Sequence, residues 1–224
     1  MDSITGSVKD SPKGGDRLIL FDVNGILCTK ISDWHLNSNG DMKINSNQGL
    51  DGDLDGSLKV VRISPHYAIV VRPGIRDYLV SLATQYTIGI YSSTTYANVS
   101  KILQAIFTAE QPFTIIADRS VTKLDPRYGI DPSIKSFDTV KTLDRIWEHP
   151  IFNAQRQWNA GNTLLIDHDR HKIDLNAPEN ILVVPEFTLD TFQNQTNSIA
   201  ELEAAISAKL EATETSAIIA KLEL

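Results

Sequence analysis

The sequence predicts an α/β protein built on a Rossmann-like, doubly wound parallel sheet. Apolar runs of strand length alternate along the chain with amphipathic stretches of helical spacing, which is the pattern of such sheets. The runs are almost continuously apolar, as expected of strands covered on both faces. Two of them, 17–23 and 162–167, carry an aspartate at or near the carboxyl end. Because ligands of these sheets bind at that edge, the two ends are the first candidates for a functional site.

The individual elements follow from the period of the apolar residues. In the predicted helix 95–107, Val99, Ile102 and Ile106 recur at helical spacing, whereas each strand is a short apolar run bounded by polar or turn residues. In chain order the prediction is strand 17–23, strand 67–72, helix 75–83, strand 87–91, helix 95–107, strand 113–117, helix 136–147, strand 162–167, strand 180–184 and a long C-terminal helix with Ile199, Leu202, Ile206 and Leu210 on one face.

The length of 224 residues suits one domain with an insertion. We expect a flexible polar tail at 1–16 and a single domain over 17–224, which ends in a helical segment at 189–224. Residues 30–65 are rich in Asn, Ser, Gly and Asp and far exceed the usual connection of about 2–6 residues. They predict an insertion or cap loop. Within it, 51–56 has the D-x-D-x-D-G opening of a calcium loop but lacks the glutamate at the twelfth position.

Composition argues against several classes of protein. The 21 Lys and Arg against 28 Asp and Glu give a net charge of −7, which disfavours a nucleic-acid partner. No apolar stretch approaches the roughly 18–20 residues that a membrane span needs. The single cysteine excludes an intramolecular disulfide, and the polar start does not resemble a secretory signal. We therefore expect no direct nucleic-acid binding, no membrane span and a cytoplasmic or nuclear location.

The residues that follow the predicted strands have the chemistry of phosphoryl transfer. Asp22 and Asp167 follow apolar runs, and Ser92 and Ser93 follow another. Two carboxylates can hold Mg²⁺, a hydroxyl and a lysine such as Lys141 can hold phosphate oxygens, and an aspartate can attack phosphorus. Taken alone, the aspartates can equally cap turns, the serines can cap the next helix, and the lysine can be a surface residue.

Several segments in the same order resemble motifs of the haloacid-dehalogenase (HAD) superfamily. Residues 18–27, LILFDVNGIL, resemble its first motif. Residues 71–79, VRPGIRDYL, and 90–97, IYSSTTYA, followed by Asp167, are similar to the RNA-polymerase C-terminal-domain phosphatase and NLI-interacting-factor-like group. The resemblance covers about residues 17–187. It implies a HAD-like fold, Mg²⁺ and phosphoryl transfer through an aspartyl-phosphate.

Carried over position by position, the resemblance implies a role for each candidate residue. It assigns Asp22 as nucleophile with Asn24, Ser92 and Lys141 as further catalytic positions, Ser92, Ser93 and Lys141 to substrate binding, and Asp22, Asn24, Asp167 and His168 to the metal.

Two of these positions depart from the family pattern. Asn24 stands where the family has a second aspartate that protonates the leaving oxygen, and an amide cannot do this at neutral pH, although its backbone carbonyl can still bind Mg²⁺. His168 stands where the group has Asn or Asp, and imidazole is a poorer ligand for Mg²⁺ than oxygen. Asp169 is an alternative ligand, and His168 is then a loop histidine. Lys135 is a rival of Lys141.

We therefore expect a Mg²⁺-dependent phosphatase that hydrolyses a phosphomonoester through an aspartyl-phosphate on Asp22, with weak activity because of Asn24. The substrate is a phosphorylated protein, at Ser or Thr, or a small phosphomonoester. The alternative is a catalytically impaired protein of the same fold that binds a protein partner through its cleft or through 30–65. A phosphotransferase with a persistent aspartyl-phosphate is a third hypothesis.

Overall fold

The structure, a computed structural model, describes residues 15–32, 59–64, 67–108, 110–193 and 197–222. Nearly all of the predicted polar tail, most of the predicted insertion and the whole calcium-like motif lie outside the described residues.

The described chain alternates strands and helices. The strands are β1 (Gly15–Phe21), β2 (Cys28–Ser32), β3 (Val60–Ser64), β4 (Tyr67–Val71), β5 (Tyr86–Tyr91), β6 (Phe113–Ala117), β7 (Lys123–Leu124), β8 (Thr139–Val140), β9 (Thr163–Asp167) and β10 (Ile181–Val183). The helices are α1 (Ile75–Leu82), α2 (Tyr96–Ile106), α3 (Asp144–Trp147), α4 (Arg170–Ile173), α5 (Leu189–Gln193) and α6 (Ile199–Leu222).

A five-stranded parallel sheet forms the centre of the fold. Its strand order is β10-β9-β1-β5-β6, and every neighbouring pair is parallel. Ile19 and Phe21 of β1 join one apolar core with residues of α1, α2 and α6, whereas Leu18 and Leu20 join a second core with residues of α3 and α4. The sheet is therefore covered on both faces, and the predicted α/β fold class is confirmed.

One predicted strand belongs to a different sheet. β4 forms where the strand 67–72 was predicted, but it pairs antiparallel with β2 and β3 instead of joining the parallel sheet. The three strands form a separate sheet in the order β2-β4-β3. The chain leaves the described residues after β2 and re-enters them shortly before β3, so this small sheet forms the base of the predicted insertion.

The predicted helix 136–147 is wrong over most of its length. Only α3 is helical there, because residues 139 and 140 form β8 and pair antiparallel with β7. Thr139 and Val140 are β-branched, which favours the extended conformation over a helix. As a result Lys141 directly follows a short strand and does not lie on a helix.

The predicted C-terminal helix is confirmed as α6. Its start is capped reciprocally: the Ser198 amide donates to Glu201 Oε2 at 2.7 Å, and the Glu201 amide donates to Ser198 Oγ at 3.3 Å. Leu202, Ile206 and Leu210 are buried, as their spacing predicted. None of the helices in the described part of the chain has the length and apolar character that a membrane crossing requires.

Arg72, which directly follows β4, forms hydrogen bonds with the residues just before α6. The side chain is 2% exposed, and its Nη2 donates to both the carbonyl and the side-chain oxygen of Asn197 at 2.7 Å and to the Ser198 carbonyl at 3.1 Å. Its Nη1 donates to the Ile26 carbonyl at 3.3 Å. Burial lowers the pKa of Arg72 to about 10, with Glu201 opposing the shift, so the guanidinium is charged at neutral pH.

Arg72→Met is expected to lower the free energy of unfolding by about 2–4 kcal/mol, because several buried oxygens lose their donor. Urea unfolding followed by tryptophan fluorescence measures this. Arg76→Met is the matched control on the exposed face of α1, where the arginine side chain is 54% exposed, and it should stay within about 0.5 kcal/mol of the wild type. Equal effects of the two substitutions would show that Arg72 does not hold α6 in place.

Candidate active site

Two aspartates lie beside each other at the carboxyl edge of the parallel sheet. Asp167 is the last residue of β9, and Asp22 directly follows the neighbouring strand β1. The Asp22 amide donates to the Ile166 carbonyl at 3.0 Å, which continues the pairing of the two strands to this point. Both side chains are buried. Two buried carboxylates so close together need a cation between them to stay ionised.

Lys141 provides that cation. Its Nζ lies 2.7 Å from Asp22 Oδ1 and 2.6 Å from Asp167 Oδ2, and its side chain is 1% exposed. The Lys141 amide donates to the Lys172 carbonyl at 2.7 Å, and its carbonyl accepts from Asn176 Nδ2 at 2.8 Å. The segment around α4 therefore holds the backbone of Lys141 on both sides, and this fixes the ammonium between the two carboxylates.

The surroundings of this cluster shift the pKa values of Asp22 and Lys141. Burial raises the pKa of the Asp22 carboxyl, Lys141 opposes this rise, and the charge of Asp167 adds to it. Burial alone would lower the pKa of Lys141, but Asp22 and Asp167 outweigh it and hold that pKa above its ordinary value. The Lys141 side chain is therefore a charged ammonium at neutral pH. When both carboxylates are ionised, the cluster has an excess negative charge that suits a divalent cation.

His168 completes a set of three ligands that a metal ion could use. Its Nδ1 lies 3.4 Å from Asp167 Oδ1 and 4.0 Å from Asp22 Oδ2, which are the carboxylate oxygens that face away from Lys141. One ligand atom of each residue lies within 4.8 Å of the others. Nδ1 is buried and has no hydrogen-bond partner among the described residues. An unpartnered nitrogen beside two carboxylate oxygens fits a divalent cation.

Asn24 lies at the same edge but is engaged by a neighbouring loop. Its Nδ2 and Thr94 Oγ1 are 3.2 Å apart, and its Oδ1 faces Cys28 Sγ at 4.0 Å. The hydrogen bond to Thr94 joins the loop that follows β1 to the loop that follows β5. The amide therefore links two loops of the site at the position where the family pattern has a carboxylate.

Ser92 and Ser93 lie in the loop between β5 and α2. Ser92 is buried, its amide donates to the Ala117 carbonyl at 2.9 Å, and its Oγ accepts from the Thr94 amide at 3.3 Å. Ser93 Oγ is buried and has no hydrogen-bond partner in the described part of the chain. Neither serine caps α2, because the residue before that helix is Thr95. The capping interpretation of these serines is therefore wrong.

The two alternative site residues, Lys135 and Asp169, do not take the positions of Lys141 and His168. Lys135 is exposed, with its Nζ 5.7 Å from the centre of the Phe137 ring. Asp169 caps α4 by accepting from the His171 amide at 3.0 Å, and its own amide donates to Asp167 Oδ1 at 2.9 Å. Lys141, and not Lys135, reaches the two carboxylates. Asp169 does not belong to the group of possible metal ligands, which is formed by Asp22, Asp167 and His168.

Two residues near this edge, Glu186 and Asn176, were not predicted, and Thr94 was predicted to follow a strand here but was given no role. Glu186 Oε1 lies 3.8 Å from His168 Nε2 on the outer side of the imidazole. Glu186 follows β10 at its carboxyl end, so the position of that strand in the sequence could have indicated it. Asn176 follows a short helix, and nothing in its local sequence indicated a contact with the lysine backbone.

A parallel α/β sheet with two aspartates and a buried lysine at its carboxyl edge is the arrangement expected of a HAD-like fold. The family model of the NLI interacting factor-like phosphatases matches residues 18–214. The chain belongs to this family, and the predicted membership of the C-terminal-domain phosphatase group of the HAD superfamily is confirmed.

Individual relatives agree with this assignment. An uncharacterized FCP1 homology domain-containing protein of Schizosaccharomyces pombe is 27% identical over 128 residues, which are 56% of this chain and 51% of the relative. The structure of Fcp1, an essential RNA polymerase II CTD phosphatase, matches 91% of this chain and 53% of its own with a TM-score of 0.52 at 16% identity. A fission yeast Fcp1 variant bound to beryllium fluoride matches 89% and 51% with a TM-score of 0.50 at 17% identity. The chain thus spans about half the length of these relatives, and the two structures show the shared fold.

Proposed function

We propose that this chain is a divalent-metal-dependent phosphatase that hydrolyses phosphomonoesters through an aspartyl-phosphate on Asp22, with Mg²⁺ as the ion that the family implies. The observation that carries the proposal is the buried Lys141 ammonium, held at hydrogen-bonding distance from both Asp22 and Asp167. Burying three ionisable groups together costs stability, and such clusters are typical of sites that need the charges for chemistry. Membership of a phosphatase family supports the same conclusion.

The charges of the cluster suit a phosphate dianion once a cation is bound. Two ionised carboxylates and one ammonium leave one net negative charge, which a divalent cation converts to one net positive charge. A phosphomonoester dianion is then attracted into a buried, weakly screened site. Asp22, Asp167 and His168 would hold the cation, which stabilises the charge on the transferring phosphoryl oxygens when it is bound.

In the proposed reaction, a carboxylate oxygen of Asp22 attacks phosphorus while the bond from phosphorus to the ester oxygen breaks. The leaving alkoxide takes a proton from solvent, which gives the free alcohol and an aspartyl-phosphate. Water then attacks phosphorus, the acyl-phosphate bond breaks, and inorganic phosphate leaves as the water returns a proton to solvent. Lys141 holds Asp22 in place throughout, and Ser92 and Ser93 would donate hydrogen bonds to phosphate oxygens.

The amide of Asn24 limits the rate in this proposal. It cannot protonate the leaving oxygen or deprotonate the attacking water, and such help is typically worth about 10²- to 10⁴-fold. Esters with an acidic leaving group need less of this help. We therefore propose that the protein hydrolyses aryl phosphates faster than alkyl phosphates.

A phosphorylated serine or threonine of a protein is the proposed substrate. Fcp1, whose structure shares this fold, is an RNA polymerase II CTD phosphatase, so its substrate is a phosphoprotein. A small phosphomonoester is the alternative substrate. A protein substrate would contact the insertion at 30–65. The proposed location of the phosphatase is the nucleus or the cytoplasm.

Hydrolysis of p-nitrophenyl phosphate tests the proposal. We expect turnover that requires an added divalent cation, that is lost in Asp22→Ala, and that is kept in Asp77→Ala. Asp77 is a matched control because it lies on the surface of α1 with 83% of its side chain exposed. Turnover that persists in Asp22→Ala would reject Asp22 as the nucleophile.

A protein-binding module of the same fold is the second candidate, and the amide at Asn24 favours it. A binding module would hydrolyse nothing with any divalent cation in either the wild type or Asn24→Asp. It would still bind a protein partner after Asp22→Ala, since it does not use the nucleophile. The same assay therefore separates the two functions.

A further inference from the structure

We infer that His168 makes the cation site of this chain select first-row transition-metal ions over Mg²⁺. The inference deepens the proposed function, because the same carboxylates, Asp22 and Asp167, form the site. It concerns which ion binds and can be tested without a substrate.

The carboxylate oxygens of the two aspartates are divided between Lys141 and His168. Each aspartate gives one oxygen to Lys141, at 2.7 Å for Asp22 Oδ1 and 2.6 Å for Asp167 Oδ2. The other oxygens, Asp22 Oδ2 and Asp167 Oδ1, face His168 Nδ1 at 4.0 and 3.4 Å. Two atoms that bind one ion at about 2.1 Å, at angles of 90–110°, lie about 3.0–3.4 Å apart. The pair with Asp167 already has that spacing, and the pair with Asp22 needs a small adjustment.

One nitrogen of the imidazole lacks a hydrogen bond among the described residues. His168 Nδ1 is buried and without a hydrogen bond among the described residues, although a polar atom in such a place is normally satisfied. Asp167 Oδ1 also accepts the Asp169 amide at 2.9 Å, which fixes that oxygen toward the imidazole and leaves a lone pair available. A bound cation would satisfy the nitrogen and the two oxygens together.

The imidazole of His168 packs between the backbone of Gly25 and the side chain of Glu186. Gly25 has φ +74°, and a Cβ built there would lie 2.5 Å from His168 Nδ1, so a glycine is needed for the ring to approach the carboxylates. On the other side Glu186 Oε1 lies 3.8 Å from Nε2. At this distance the two atoms make no hydrogen bond, but the negative charge of Glu186 favours a ring proton on Nε2 over one on Nδ1, which leaves the Nδ1 lone pair directed at the metal position.

The chemistry of the ligands then determines the ion. Mg²⁺ prefers oxygen ligands and binds imidazole poorly, whereas nitrogen ligands favour Co²⁺, Zn²⁺ and related ions. Any oxygen site binds transition metals more tightly than Mg²⁺ to some degree. His168 raises the ratio of transition-metal affinity to Mg²⁺ affinity above the value that the two carboxylates would give alone.

Titration of the purified protein with CoCl₂ and MgCl₂ tests the claim, using calorimetry and the visible absorption of bound Co²⁺. We expect His168→Asn to lower the Co²⁺ affinity by about 10-fold or more without lowering the Mg²⁺ affinity, and to change the absorption spectrum. His171→Asn is the matched control, because that histidine is exposed three residues away, and it should leave both affinities unchanged. His168→Asp is a second variant that should give the lowest ratio of Co²⁺ to Mg²⁺ affinity.

An unchanged ratio in both His168 variants would overturn the inference, and so would an equal fall in His171→Asn. Parallel assays with p-nitrophenyl phosphate separate this result from the proposed function. A protein that binds Co²⁺ through His168 but hydrolyses nothing supports the inference and rejects the phosphatase proposal. If the protein hydrolyses the ester with Mg²⁺ and the His168 variants keep the same ratio of Co²⁺ to Mg²⁺ affinity, the phosphatase proposal is supported and the inference about His168 is rejected.

Discussion

Replacing Asn24 with aspartate should raise the rate at which this protein hydrolyses alkyl phosphates by about 10²- to 10⁴-fold. In the proposed reaction the Asn24 amide takes the place of the acid that would protonate the leaving oxygen, and an amide cannot transfer that proton. An aspartate has nearly the same size and can accept a hydrogen bond from the Thr94 hydroxyl, whose oxygen lies 3.2 Å from Asn24 Nδ2. The substitution therefore adds a proton-transferring group without new volume or a lost contact between the two loops.

The test compares kcat/KM for two substrates that differ in their leaving groups. Asn24→Asp should accelerate hydrolysis of a phosphoserine peptide strongly and of p-nitrophenyl phosphate only slightly, because nitrophenolate departs with little protonation. Asn24→Ala is the control that removes the amide without adding an acid, and it should accelerate neither reaction. An equal gain on both substrates would show that the new carboxylate acts on a step other than protonation of the leaving group.

The parts of the site that end buried strands could be predicted from the sequence. Asp22 and Asp167 follow apolar runs of strand length, and parallel strands bring equal ends to one edge, so their proximity follows from a local pattern and one topological rule. Lys141 is different, because its sequence pattern did not distinguish it from a surface lysine or from Lys135, and only the family resemblance gave it a specific role. The spacing of the surrounding apolar residues placed Lys141 on a helix that does not exist. Its position depends on hydrogen bonds with Lys172 and Asn176, which are far away in the sequence.

The same reason explains what the sequence did not predict in the fold. β8 forms because it pairs with β7, and β4 lies in the small antiparallel sheet because its partners, β2 and β3, are at the two ends of the insertion. In each case the decisive partner lies outside the window in which apolar periodicity is read, and strand preference depends strongly on such partners. His168 shows this at the level of a side chain. Its residue type was visible as a departure from the family pattern, but its approach to two carboxylates depends on the backbone of Gly25.

Lys141→Met should lower the free energy of unfolding by about 3–5 kcal/mol, measured by urea unfolding in the presence of a chelator. Methionine fills much of the volume of the lysine stem, so the main loss is the ammonium that neutralises Asp22 and Asp167. The two buried carboxylates would then face each other without a cation. Lys135→Met removes the same group from an exposed position, and it should change stability by no more than about 0.5 kcal/mol.

Combining Lys141→Met with Asp22→Asn separates charge from packing. If the cost of Lys141→Met comes from two uncompensated carboxylates, removing one of those charges restores part of the stability, and the double variant is about 1–3 kcal/mol more stable than the sum of the single changes predicts. If the cost is lost packing, the two effects add, and additivity would contradict the electrostatic account. An extra stability of this size in the double variant would show that the main role of the Lys141 ammonium in folding is to neutralise the two buried carboxylates. Since aspartates buried side by side destabilise the fold, their burial around one lysine at a strand edge agrees with the chemistry proposed for Asp22.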